Sequence, residues 1–322
     1  MNKVTKGQWN GYDTYILHSP ELEVTLLPRL GNNIIRLWDC KHQRDVLRHP
    51  DENELEFYLQ KPYHFGIPLL FPPGRINKGQ FQYEGQQYSF DRNTANDNHI
   101  HGLHRIQSWC VSDIEEEEDS CAIITEFNTQ NDENWMRQFP APLKLEMTLR
   151  LQGSVLTQSF KITHLGDKAV PIGLGLHTWF LLDGEPERWQ IKLPCEGIYE
   201  LNEEQIPTGN IEPLGNLSLL KEGLNLANQN FDTLFHIGNH PAEALLLRED
   251  GYGIKYTADE AFKHWVLFTK GDIDQFLCIE PYTWLPNAPN LPVSPQISGL
   301  IGLQPQQTIS VSTKLEILSA LE

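Results

Sequence analysis

The chain has 322 residues, of which 39% are hydrophobic and 10% aromatic, enough apolar material for one large core or two smaller ones. Its formal net charge is -18, and so acidic a surface repels phosphate backbones and anionic headgroups, which argues against nucleic-acid and membrane partners. The five cysteines, Cys40, Cys110, Cys121, Cys195 and Cys278, are widely spaced and odd in number, so neither a disulfide framework nor a thiolate metal site is expected.

The first residues, M-N-K-V-T-K-G-Q-W-N-G-Y-D, hold no apolar run of signal-peptide length, and no continuous apolar span follows, so a cytoplasmic location is expected. From Thr14 to Leu47 short apolar runs are broken by S-P, L-P-R-L-G-N-N and K-H-Q-R-D, which reads as strands. A short helical turn is expected over Glu52 to Leu59. In Tyr63 to Ile76 the P-P-G at 72 to 74 forces an irregular backbone just after a hydrophobic run, with Arg75 directly behind the bend. Phe81, Tyr83, Tyr88 and Phe90 flank Glu84-Gly85 as in a hairpin. Ser108 to Phe127 reads as two strands joined at the acidic run Glu115 to Asp119.

Strict alternation from Leu143 to Leu151 predicts a half-buried antiparallel strand, turned by Gln152-Gly153-Ser154 into a second at Val155 to His164. Leu201 to His240 is rich in Asn, Gly and Pro and reads as a long irregular connection. Strands resume at Ala244 to Arg248, Gly253 to Thr257 and Trp265 to Thr269, and Thr308 to Leu318 closes the series. No helical period lasts beyond two turns, and no linker or repeat divides the chain. The prediction is an all-β fold, a large antiparallel β-sandwich forming a single domain over residues 1 to 322.

Four places break the pattern. In V-P-I-G-L-G-L-H-T-W-F-L-L, from Val170, Gly173 and Gly175 share a strand face with His177, leaving a bare backbone floor where a ligand or another segment approaches. His177 at its end is either a satisfied structural histidine or part of a site. His99 and His101 form an H-x-H pair that suits a metal if both rings share a strand face, but Arg105 nearby disfavours a cation. Hydrogen bonding to a polar ligand is the reading preferred there, and no metal is expected. Arg75 is a surface charge unless its forced bend points it inward. In F-L-C-I-E-P-Y-T-W, Phe276, Cys278 and Glu280 share one face, and Pro281 is expected to end the strand and leave Glu280 on a rim beside Tyr282 and Trp284. That carboxylate either serves a ligand rich in hydroxyls or pairs with a surface cation.

Taken in order, G-R-I at 74 to 76, G-x-F-x-Y-x-G-x-x-Y from Gly79 to Tyr88, N-x-I-H-G from Asn98 to Gly102, G-L-H-T-W-F from Gly175, F-D-T-L-F at 231 to 235, I-E-P-Y-T and P-N-A-P-N resemble the aldose 1-epimerase (galactose mutarotase) family. The likeness runs from about Leu27 to Leu318. It implies a galactose mutarotase-like supersandwich with a sugar in a groove on one sheet. By the same resemblance Glu280 is the general base and His177 the general acid of anomer interconversion. His101 binds the ring or anomeric oxygens, and Arg75 and Asp232 bind sugar hydroxyls. Asn98 opens the N-x-I-H-G motif and is carried into the site with it. Trp179, Tyr282 and Trp284 are expected to stack on a pyranose face. The chain departs from the family at Leu103, where a glycine is usual, and at Trp179, where tyrosine is commoner. The expected enzyme is an isomerase, acting on a small-molecule sugar without a cofactor, as a monomer or homodimer. A hexose 6-phosphate substrate, held by Arg92, Arg105 or Arg137, and a non-catalytic carbohydrate-binding protein on the same fold are the alternatives.

Overall fold

A computed structural model describes residues 2–269 and 275–318. Among these residues three antiparallel sheets dominate. A nine-stranded sheet is built around the alternating hairpin Leu143–Gln152 and Val155–His164. Cys110–Glu116 and Cys121–Asn128 extend it on one side, and Thr308–Leu318, Gly253–Ala258, Glu243–Arg248, Trp189–Lys192 and Leu224–Asn225 follow on the other. In the central hairpin every second residue, Leu143, Leu145, Met147, Leu149 and Leu151, is buried, as a sheet with one wet face requires.

The second sheet has eight strands. Pro207–Glu212, Gly197–Leu201, Asp232–His236, His264–Phe268, Phe276–Tyr282, Gly175–Leu176 and Leu69–Leu70 lie side by side, and Thr178–Leu181 also pairs with Phe276–Tyr282. A five-stranded sheet from Lys3–Trp9 to Arg44–Asp45 stands at the N-terminal end. One hydrophobic cluster draws side chains from all three sheets, including Leu26, Leu149 and Leu277.

The predicted β-sandwich is thus observed, with three local corrections. The segment read as an irregular connection, Leu201 to His240, contains the strands Pro207–Glu212 and Asp232–His236. The latter has too few alternating positions to signal itself, and is held because it lies between Gly197–Leu201 and His264–Phe268. Lys3–Trp9 is a further strand without an apolar signature, since it pairs on one side only and leaves most of its residues partly exposed. The helical turn occurs at Leu55–Gln60. None of the described helices is long and apolar enough to cross a membrane.

Several histidines are buried in this framework with no room for charge. His104 is fully enclosed by Phe71, Trp109, Phe127 and Trp135, and neither ring nitrogen has a partner. Burial pushes His104 and His264 down to about 3 and His99 down to about 4. Unfolded, each titrates near about 6.5. Below that pH the unfolded chain binds protons that the folded one refuses, so stability present above about pH 6.5 is lost as pH falls. Each such group steepens the loss by up to about 1.4 kcal/mol per pH unit. The urea midpoint is therefore expected to drop sharply between roughly pH 6.5 and 4.5, and less sharply in His104→Phe. A midpoint level across that range would contradict the burial of these rings as neutral groups.

Candidate active site

Four neighbouring strands of the eight-stranded sheet bring rows of side chains into line. Asp232 pairs with Phe268, Phe268 with Cys278, and Cys278 with Trp179; two residues along, Leu234 pairs with Val266 and Val266 with Glu280. Residues opposite one another in a ladder share a face. These rows therefore form one surface, while Phe235, Leu267, Leu277 and Ile279 turn into the core. The register that joins Gly175 to Tyr282 and Thr178 to Ile279 puts His177 across from Glu280. Their side chains meet, with His177 Nε2 3.3 Å from Glu280 Oε1.

Pro281 does not end its strand. The strand runs on to Tyr282, with Pro281 paired to Trp265 and Tyr282 paired to both His264 and Gly175. Glu280 consequently lies inside the sheet, 2% exposed, and not on a rim. Burial pushes its carboxyl up to about 8; the hydrogen bond from the Tyr282 hydroxyl to Oε2 pulls it down, Asp232 pushes it up, and Arg75 pulls it down. His177 is equally buried, and loss of solvent takes its imidazole down to about 3. Its ring stacks on Trp179 with centroids 5.0 Å apart and planes 10° from parallel, and Phe268 meets it edge-on.

The floor expected from Gly173 and Gly175 is filled by the protein itself. A Cβ on Gly173 would lie 2.2 Å from the Trp284 ring, and one on Gly175 would lie 2.5 Å from the Tyr282 ring. Trp284 is accordingly a core residue against Phe81, 0% exposed, and does not face a sugar. Trp179 does line the cavity, but one face is taken by His177 and Arg48 sits over the ring, so the indole holds the imidazole in place. Its Nε1 donates to the Tyr63 carbonyl at 2.7 Å.

His101 reaches the same cavity through an unusual backbone. It adopts φ 65°, the left-handed region, and its N–H donates to the Gly74 carbonyl at 3.0 Å. Its ring lies 5.3 Å from that of His177 and 5.2 Å from that of Tyr63. Burial, then His177 and Arg75, hold it well below the ordinary histidine range. That left-handed residue also breaks the expected H-x-H geometry: His101 lines the cavity of Glu280, whereas His99 lines a separate cleft and contacts the Asp91 carbonyl through Nδ1 at 2.6 Å. The two rings do not share a face and form no metal pair.

Arg75 lines the cavity from the strand Arg75–Ile76, which pairs with His99–Ile100. The P-N-A-P-N motif secures this turn. Asn287 Oδ1 accepts from the Asn77 N–H at 3.0 Å, and Asn290 Nδ2 donates to Asn287 Oδ1 and to the Gln80 carbonyl. Asp232 reaches the cavity from the edge of the Asp232–His236 strand. Asn98 does not reach it. Its side chain donates to Glu204 and accepts from the Lys78 N–H, which ties down the loop behind Arg75.

The resulting cavity, about 210 Å³, gathers Glu280, His177, His101, Arg75 and Asp232, with Val266 and Phe268 as apolar wall. Gln205, Tyr63 and His64 also line it and carried no signal in the sequence. Tyr282 did: it stands two residues from Glu280 on the same face, which is hydrogen-bonding distance for a tyrosine and a carboxylate. A larger cleft of about 980 Å³ around His236 and Lys263 contains none of these side chains.

Comparison with known proteins bears on the family and the fold. The profile of the aldose 1-epimerase family matches residues 13–316. Galactose mutarotase of Rattus norvegicus is 26% identical over 168 residues, so the match takes in 50% of this chain and about half, 46%, of that relative's length. Uncharacterized protein YihR of Escherichia coli is 24% identical over 241 residues, 70% of this chain and 72% of that one. Among solved structures, a galactose mutarotase-like protein of Clostridium acetobutylicum superposes with a TM-score of 0.93 at 22% identity, covering 99% of both chains. Galactose 1-epimerase of Lactobacillus acidophilus gives 0.79 at 16% identity, covering 100% of this chain and 99% of that one. At these identities the structural likeness is one of fold. With the family profile spanning nearly its whole length, the chain belongs to the aldose 1-epimerase family.

Proposed function

We propose that the protein is a cofactor-independent aldose 1-epimerase that interconverts the α and β anomers of a free hexose. The observation that carries this reading is the contact between His177 Nε2 and Glu280 Oε1, 3.3 Å, within a cavity that also holds Arg75, His101 and Asp232. Opening a pyranose takes the proton from the C1 hydroxyl and gives one to the ring oxygen. Rotation about the bond from C1 to C2 then presents the other carbonyl face, and the steps reverse. Glu280 is the base for the hydroxyl and His177 the acid for the ring oxygen, each regenerated when the ring closes. Arg75, His101 and Asp232 supply hydrogen bonds to sugar oxygens, which fix the ring between the two groups.

At rest the proton sits on the opposite partner, and one transfer within the pair restores this division of labour. With Glu280 at about 8 and His177 at about 3, the empty pair holds one exchangeable proton at neutral pH, on the carboxyl, and no net charge. Passing that proton to His177 Nε2 creates the carboxylate and the imidazolium without any exchange with solvent. The reactive form thus has the same proton count as the resting one. Above about pH 8 the pair loses its proton and has no acid; only near pH 3 does it gain a second. kcat/KM is therefore expected to stay level over roughly pH 5 to 7 and to fall above pH 8, as read from initial rates across a buffer series. A maximum above pH 9 would contradict the assignment.

A free sugar suits the cavity better than a phosphorylated one. Arg75 is the single Lys or Arg among the described lining residues, and Glu280 and Asp232 face the same space. Arg105 lines the separate cleft beside His99, and Arg92 and Arg137 are paired with Asp97 and Asp91. Polarimetry on freshly dissolved α-glucose, α-galactose and glucose 6-phosphate is expected to show acceleration of the free sugars first, unaffected by EDTA. Preference for the phosphate would overturn this choice of substrate.

A further inference from the structure

We infer that Cys278, His177 and Glu280 together form a site for a thiophilic divalent cation of the zinc class, and that this cation and the sugar exclude one another. The inference rests on where the three side chains lie and not on their roles in catalysis. Cys278 and Glu280 are alternate residues of one strand and so face the same way, while His177, between the short strands Gly175–Leu176 and Thr178–Leu181, stands across from Glu280. The sulfur, one imidazole nitrogen and one carboxylate oxygen lie within 4.8 Å of one another. Among the described residues no other group of three such side chains comes this close.

The geometry fits a tetrahedral ion. Bonds of about 2.0 to 2.1 Å to nitrogen and oxygen span an edge of about 3.3 Å, and His177 Nε2 and Glu280 Oε1 already stand 3.3 Å apart. The sulfur, within 4.8 Å of the other two atoms, moves inward to take the third vertex, and the fourth is left for water. A thiolate and a carboxylate neutralise a doubly charged ion. Asp232 adds negative charge close to Glu280, and Arg75 opposes from the same cavity. The Tyr282 hydroxyl is bound to Oε2 of Glu280, which leaves Oε1 for the ion and holds the carboxylate in orientation, as outer-shell partners of metal sites do. An ion in this position would lie between the proposed acid and base. The expected consequence is reversible inhibition by zinc of an enzyme that needs no metal.

The test uses the whole chain, stripped with EDTA and desalted. Titration calorimetry with Zn²⁺ is expected to show one tight equivalent, weakened by saturating galactose. Co²⁺ is expected to give a thiolate-to-cobalt charge-transfer band in the near ultraviolet. Cys278→Ser should lose the band, bind zinc at least about tenfold more weakly, and escape zinc inhibition while still turning over sugar. Glu280→Gln, read by binding alone, should weaken zinc in the same way, so the result does not hang on one variant folding. Absence of the cobalt band in the wild-type protein, or wild-type zinc affinity in Cys278→Ser, would overturn the inference. A cobalt band in a protein without anomerase activity would instead leave the metal site standing and defeat the proposed function.

Discussion

Glu280→Gln is expected to lower the rate of anomer exchange by about 10²- to 10⁴-fold, and His177→Asn by a similar factor, because each removes one partner of the proton transfer. The glutamine keeps the length of the side chain and an acceptor for the Tyr282 hydroxyl, so the cavity is retained while the base is lost. The asparagine keeps a polar group at the end of the row beside Trp179 but has no nitrogen that can carry a proton to the ring oxygen. Since the two groups act as one unit, the double variant should be hardly slower than either single one. Galactose should still raise the melting temperature of Glu280→Gln, as the other oxygen-binding residues remain. Wild-type rates in either single variant, measured by polarimetry at equal protein concentration, would refute the acid and base roles of this pair.

The second large effect is on stability and comes from a residue that touches no sugar. Gly102 has φ 65°, and a Cβ placed on it would lie 2.0 Å from the Phe71 oxygen, 2.2 Å from the Phe71 carbonyl carbon and 2.6 Å from the Pro72 nitrogen. All three are backbone atoms. They cannot yield easily, because the Leu103 N–H donates to that same Phe71 oxygen at 3.0 Å and the His101 N–H is bonded to Gly74. A left-handed conformation alone costs alanine about 1 to 2 kcal/mol, and the clash adds to it. Gly102→Ala is thus expected to destabilise the fold by about 3 kcal/mol or more, and to displace the His101 ring from the cavity. Urea unfolding measures the first effect and KM the second. An unchanged midpoint together with an unchanged KM would show that this close approach does not position His101.

How much of this was legible in the sequence differs from residue to residue for physical reasons. The Leu143–Gln152 strand announced itself because one of its faces is wet and period-two burial leaves a clear pattern. The facing of Cys278 and Glu280 followed from the same rule. That rule could not show that Glu280 is buried, because exposure depends on the strands at either side. Nor could any local pattern show His177 opposite Glu280, since register between distant strands is set by pairing along the whole ladder. Only the resemblance of ordered motifs pointed there. Trp284 misled for a related reason. It keeps the parity of Glu280 and Tyr282, but the strand stops at Tyr282 and the chain turns, so the ring packs onto Gly173. The two glycines mark a place of close approach, and its occupants are the protein's own aromatic rings.

The most direct test is magnetisation exchange between the α and β anomeric protons of galactose at equilibrium, recorded by NMR with increasing wild-type protein. If Glu280 and His177 relay protons between the C1 hydroxyl and the ring oxygen, the exchange rate rises in proportion to enzyme concentration and the anomer ratio stays constant. If galactose and glucose both exchange no faster with the protein than in buffer alone, while galactose still raises its melting temperature, the cavity holds sugar without opening it and the catalytic account is wrong.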